Sequence, residues 1–151
     1  MRFVFKGEVM KFKTNVMLVL FGMSITGMIP SLAAAATPAG GDVYAIAHSG
    51  VILTAAELRD VYLGEKQFAG STRLVPVDNS SIQDAFLEKA VYMETYKYAS
   101  LWIRKSFRGG LTPPITKSSD AEVIAYVKST AGAVGYISTP PPSGVTQLFK
   151  Y

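Results

Sequence analysis

The chain has 151 residues, 49% of them apolar, with no cysteine and a single histidine. That length and composition fit one globular domain, and the lack of cysteine excludes disulfides, thiolate metal sites and a lipid anchor on an N-terminal cysteine. The net charge of +4 is concentrated in the leader: of 15 basic and 11 acidic residues, Arg2, Lys6, Lys11, Lys13 and Glu8 lie there, leaving 11 against 10 and no electrostatic case for a nucleic-acid partner.

Residues 1–36 read as a secretory signal peptide. A basic start precedes the mostly apolar run Val16 to Met28, Pro30 breaks it, and SLAAAAT from Ser31 to Thr37 offers small residues for cleavage. As a helix the run reaches about 20 Å against a hydrocarbon core of about 30 Å, so a cleaved leader is expected rather than an anchor. Met10 also opens a complete leader by itself. The expected product is exported, periplasmic or secreted, and soluble after cleavage. Residues 37–42 form a flexible lead-in and 43–151 the folded domain.

Val43 to Ala47 (VYAIA) reads as a buried strand. LTAAELRDVYLG follows with full helix grammar: Thr54 and Glu57 at capping-box spacing, Leu58, Val61 and Tyr62 on one face, and Gly64 as the stop. Thr72 to Asp78 predicts a second strand, with Pro76 arguing for an edge or a strand end. In NSSIQDAF, Ser80 with Gln83, or Ser81 with Asp84, gives a capping pattern for the next helix. Phe86, Leu87, Ala90 and Val91 form one apolar stripe, and Tyr98, Leu101 and Trp102 another; Glu94 and Thr95 interrupt them, which predicts a kink or two helices. RGG ends the run, and Thr112 to Pro114 forces an extended loop. Ser119 and Glu122 repeat the capping spacing before Val123, Ile124 and Val127, and Gly132 stops that helix. AVGYIS and VTQLF read as the last strands. Helices alternating with strands predict an α/β domain, a small, mainly parallel sheet with helices on both faces.

Three segments, in order, carry a family resemblance. LTAAELRDVYLGEKQFAG, LWIRKSFRGGLTPP and AEVIAYVKSTAGAVGYIS resemble segments of the periplasmic phosphate-binding proteins, over roughly Val43 to Lys150. The resemblance implies the type II periplasmic-binding-protein fold, mainly a single lobe of it, and a substrate-binding role beside an ABC transporter. In that family the second lobe places an arginine, an aspartate and a serine-glycine-threonine run near a helix start. Matched through Phe86, these positions hold Pro76, Asp78, and Ser80, Ser81 and Ile82. With the arginine and threonine missing, the resemblance implies weak rather than tight capture of a small oxyanion such as phosphate.

The candidate ligand site is Asp78, Asn79, Ser80 and Ser81, where free N–H groups and the dipole of a helix start favour an anion; the competing reading is that the serines are only caps. Arg104, Lys105 and Arg108 are read either as the solvated end of a helix or as a contact for an anion or a partner. Gly135 inside a strand suggests close approach by a helix, or by a ligand in the receptor relatives. His48 stands without a nucleophile elbow or a metal-ligand cluster, so no catalytic site, metal or cofactor is expected, and no enzyme. The leading expectation is an exported oxyanion-binding domain serving an uptake system. The alternative is a ligand-free interaction module of the cell envelope, dimerising in place of the missing lobe.

Overall fold

The computed structural model describes residues 41–151, and the expected signal peptide lies outside them. β1 (Tyr44–Ala47) begins the fold, followed by α1 (Ala55–Tyr62). Thr54 caps α1 as expected: its hydroxyl accepts from the Glu57 N–H at 3.2 Å, and the Glu57 carboxylate accepts from the Thr54 N–H at 2.8 Å. Leu58, Val61 and Tyr62 are buried.

The expected strand from Thr72 to Asp78 divides in two. Thr72–Arg73 (β3) pairs with Phe68–Ala69 (β2) in a small hairpin that sequence reading missed, and Val75–Asn79 (β4) enters the main sheet. β4 is not an edge strand. Its pairing with β5 (Ile115–Lys117) starts only at Val77, so Pro76, which has no N–H to donate, sits ahead of that ladder.

After β4 come a four-residue helix, α2 (Gln83–Phe86), and a π-helical turn, Leu87–Val91, closed by Tyr92 at φ +57. α3 (Thr95–Gly109) then starts afresh, which gives the expected two helices rather than one rod. Beyond the Thr112–Pro114 loop, β5 is a three-residue strand with no counterpart among the expected elements. α4 (Asp120–Ser129), β6 (Ala133–Ile137) and β7 (Thr146–Lys150) complete the chain.

The sheet order is β5-β4-β6-β1-β7. β4 runs parallel to both β5 and β6, and β1 runs antiparallel to β6 and β7. Four strands therefore share one direction and β1 opposes them, so the sheet is mixed but mostly parallel, as expected. At its β1–β7 side the ends of the fold are clasped: Val43 and Tyr151 exchange two main-chain hydrogen bonds of 3.0 and 2.8 Å.

Strand alternation sorts the core into two layers. Ala45, Ala47, Val134 and Tyr136 face α1, the π turn and α3, where Leu58, Tyr62, Phe86, Val91, Tyr98 and Trp102 are buried. Ile46, Val77 and Ile137 face α4 through Val123 and Val127. On the first face Phe86 stacks on Tyr136 with centroids 3.8 Å apart, and the Tyr62 hydroxyl reaches the carbonyls of both Val77 and Val134, bridging β4 and β6.

Gly135 makes the α4 layer fit. A Cβ there would lie 2.6 Å from Val123 Cγ1 and 3.3 Å from Val127 Cγ2, so the helix lies closer to β6 than any side chain permits. Gly132, at φ +78, turns the chain between α4 and β6 with its Cα facing the Arg73 carbonyl. Both glycines thus serve packing and turning, and at Gly135 the close approach is made by a helix.

Candidate functional site

The connections around β4 define a crevice. The chain leaves β4, crosses the first face through α2 and α3, and returns as β5; it leaves β5, crosses the other face through α4, and returns as β6 on the far side of β4. These crossovers run in opposite directions on opposite faces, which keeps both of one hand. The two loops therefore diverge above the carboxyl ends of β4 and β5, the place where open α/β sheets hold ligands.

A cavity of about 230 Å³ lies beside these strands on the face that α3 covers, lined by Asp78 of β4, Gln83, Thr95, Tyr98, Ala99 and Trp102 from the helices, Pro113 and Pro114 just before β5, and Thr116 of β5. Asp78 is 4% exposed. Its carboxylate accepts from the Tyr136 hydroxyl at 3.1 Å and faces the Tyr98 hydroxyl at 3.4 Å. Burial raises the Asp78 pKa to about 6, against the pull of hydrogen bonds from Tyr136, Tyr98 and Gln83. Burial and the neighbouring Asp78 likewise raise both tyrosines, so their hydroxyls remain protonated donors. Among the described residues the salt bridges go to Asp42, Glu57, Glu65 and Glu94, and no Lys or Arg pairs with Asp78.

The other expected site residues do not gather around this carboxylate. Successive residues of a strand face opposite ways. Asn79 accordingly turns to the α4 side, where its amide donates to Asp120 Oδ1 at 2.7 Å. Asp120 Oδ2 in turn accepts from the Ser138 N–H and hydroxyl, tying the ends of β4 and β6 to the start of α4. Ser80 and Ser81 are exposed just past β4.

The expected serine caps are corrected. The residue before α2 is Ile82, and no side chain caps that helix. Instead, Asn79 Oδ1 accepts from the Ser81 hydroxyl at 2.6 Å and from its N–H at 3.2 Å, closing a local turn that competes with helix capping. With only four residues in α2, little helix dipole stands behind Ser80 and Ser81. At α4 the cap does form, Ser119 accepting from the Glu122 N–H, while the Glu122 carboxylate reaches one residue further back to Ser118.

Arg104 and Arg108 are exposed on α3. At 100° per residue they lie about 100–140° around that helix from the Tyr98–Trp102 side, and neither lines the Asp78 cavity. His48 is tied into the fold, its Nδ1 donating to the Val127 carbonyl at 2.9 Å. Among the described residues, no group of three or more His, Asp or Glu side chains converges to hold a metal, and no helix is long and apolar enough to cross a membrane. The residues that sequence reasoning missed are Gln83, Thr95, Tyr98, Thr116 and Tyr136, which reach Asp78 or its cavity from distant segments.

No family model matches the chain, and no curated protein matches it. Among solved structures it is similar to an ABC-type phosphate transport receptor from Vibrio cholerae, at 14% sequence identity and a TM-score of 0.43. The likeness covers 72% of this chain and 46% of that one, so the chain spans less than half the length of the receptor it matches.

Proposed function

We propose that the domain is an exported solute-binding lobe that captures a small, protonated oxyanion weakly, in the cavity beside β4 and β5. The observation that carries this reading is Asp78: a buried carboxylate, without a cationic partner among the described residues, opening onto a cavity between α3 and the parallel strands β4 and β5. An ionised carboxylate repels a bare anion but accepts a hydrogen bond from an anion that still carries a proton. Phosphate does so near neutral pH and sulfate does not. Thr116 and Gln83 line the cavity with donors, the Thr95 hydroxyl donates to Asp84, and Ser80 and Ser81 lie just beyond the strand end. Without a cation the anion's charge is met by hydrogen bonds alone, so affinity is low. The role that fits is delivery to an uptake system of the ABC type, outside the cytoplasm. The chemistry is binding, with no bond made or broken.

A thermal-shift panel tests the reading, because a ligand that binds only the native state raises Tm. Phosphate at millimolar concentration is expected to raise Tm at pH 7.5, sulfate to leave it unchanged, and Asp78→Asn to abolish the phosphate effect. A flat panel, or equal shifts with both anions, refutes it.

A further inference from the structure

Helix α3 carries a second ordered surface, on the side away from the cavity. Tyr96, Ser100, Ile103 and Phe107 follow a 4-3-4 spacing, which aligns them on one stripe roughly 16 Å long. Tyr98 and Trp102 hold the opposite side of the helix in the core. The stripe is open: Tyr96 is 65% exposed, Ile103 59% and Phe107 88%. Its polar member is self-contained, since the Ser100 hydroxyl donates to the Tyr96 carbonyl at 2.8 Å.

Each of the three large residues is followed by a cation: Lys97 after Tyr96, Arg104 after Ile103, Arg108 after Phe107. One residue is 100° of turn, so all three cations line the same flank of the stripe. Lys97 reaches Glu94 at 3.3 Å, whereas Arg104 and Arg108 are in no ion pair among the described residues.

We propose that this face of α3 is a docking seam for one acidic amphipathic helix of another protein. A stripe of one or two apolar residues per turn has the width of a two-helix seam, in which flanking charges select the partner. The cationic flank calls for carboxylates opposite. A second copy of this chain offers none: the positions of α3 that flank the stripe, Lys97 and Arg104 on one side and Ala99 and Ser106 on the other, include no carboxylate. A lipid surface takes a wider apolar face that sinks into the acyl boundary, and here Ser100 interrupts a narrow stripe on a helix already held by the domain.

The test uses the full chain and a labelled helical peptide with Leu at heptad positions a and d and Glu at e and g. A peptide with Lys at e and g is the control, and binding is read by fluorescence anisotropy. The Glu peptide is expected to bind in a salt-sensitive way and the Lys peptide not to bind. Ile103→Ser and Phe107→Ser, each at an exposed site, are expected to weaken binding by about tenfold or more while leaving the circular dichroism unchanged. Absence of binding, equal binding of both peptides, or binding insensitive to the two variants overturns the proposal. So does a dimer in sedimentation that Ile103→Ser dissolves, or retention on phosphatidylglycerol vesicles that Phe107→Ser abolishes.

Discussion

Replacing Asp78 with Asn is expected to make the protein more stable at neutral pH. The carboxyl titrates near 6 in the fold against an ordinary 3.8, chiefly because burial penalises the charge. Below the unfolded value both states are protonated, and the side chain contributes its full hydrogen-bonded stability. As pH rises through 4 to 6, the unfolded chain releases its proton first. Stability is therefore lost across that window, and the loss is complete above the folded pKa. At 1.36 kcal/mol per pH unit, the gap between 3.8 and about 6 amounts to about 3 kcal/mol. Asn keeps the shape and does not ionise, so its amide oxygen and nitrogen can still meet the Tyr136 and Tyr98 hydroxyls. The assay is urea unfolding of both proteins at half-unit steps from pH 4 to 8. The difference between them isolates Asp78 from Glu57, Glu94 and Glu122, whose depressed pKa values make stability fall with acid instead. The variant should gain on the native protein by about 2–3 kcal/mol between pH 4 and 7, with no further change above. A constant difference across the range, or a variant less stable at pH 8, refutes the argument. Loss of phosphate response together with gained stability would mark the carboxylate as retained for binding at the expense of folding.

Gly135→Ala should lower unfolding free energy by about 1–3 kcal/mol through its clash with Val123, and Val123→Ala in the same chain should recover part of it; additive losses in urea melts would contradict the close-approach reading. Thr54→Ala should cost about 1 kcal/mol by removing the cap of α1, read as a shift in the urea midpoint at constant m-value; a neutral outcome would show the box to be idle.

What could be read in advance follows from how local its cause is. α1 and α4 are announced by side chains three residues apart that bond within one turn, and β6 by a run that is buried on both faces. β5 is three residues at an edge with no alternation of its own, and the β2–β3 hairpin has two residues on each side; neither is long enough to show a period. The region after β4 misled because Asn79 competes for Ser81, and Asn79 is held there by Asp120, 41 residues later. Asp78 was legible as a candidate from the receptor resemblance. Its surroundings were not, because Tyr98 and Tyr136 are brought in from 20 and 58 positions away by the crossovers.

The clasp between Val43 and Tyr151 has a mechanical and evolutionary consequence. Joining these two positions by a short linker and opening the chain at an exposed loop should give a circular permutant with the same sheet. The same proximity suits the unit for insertion into a surface turn of a host protein, because a span that starts and finishes at one point leaves the host backbone undisturbed. Tension applied between Val43 and Tyr151 falls on the β1–β7 ladder, which unzips before the parallel centre of the sheet bears any load.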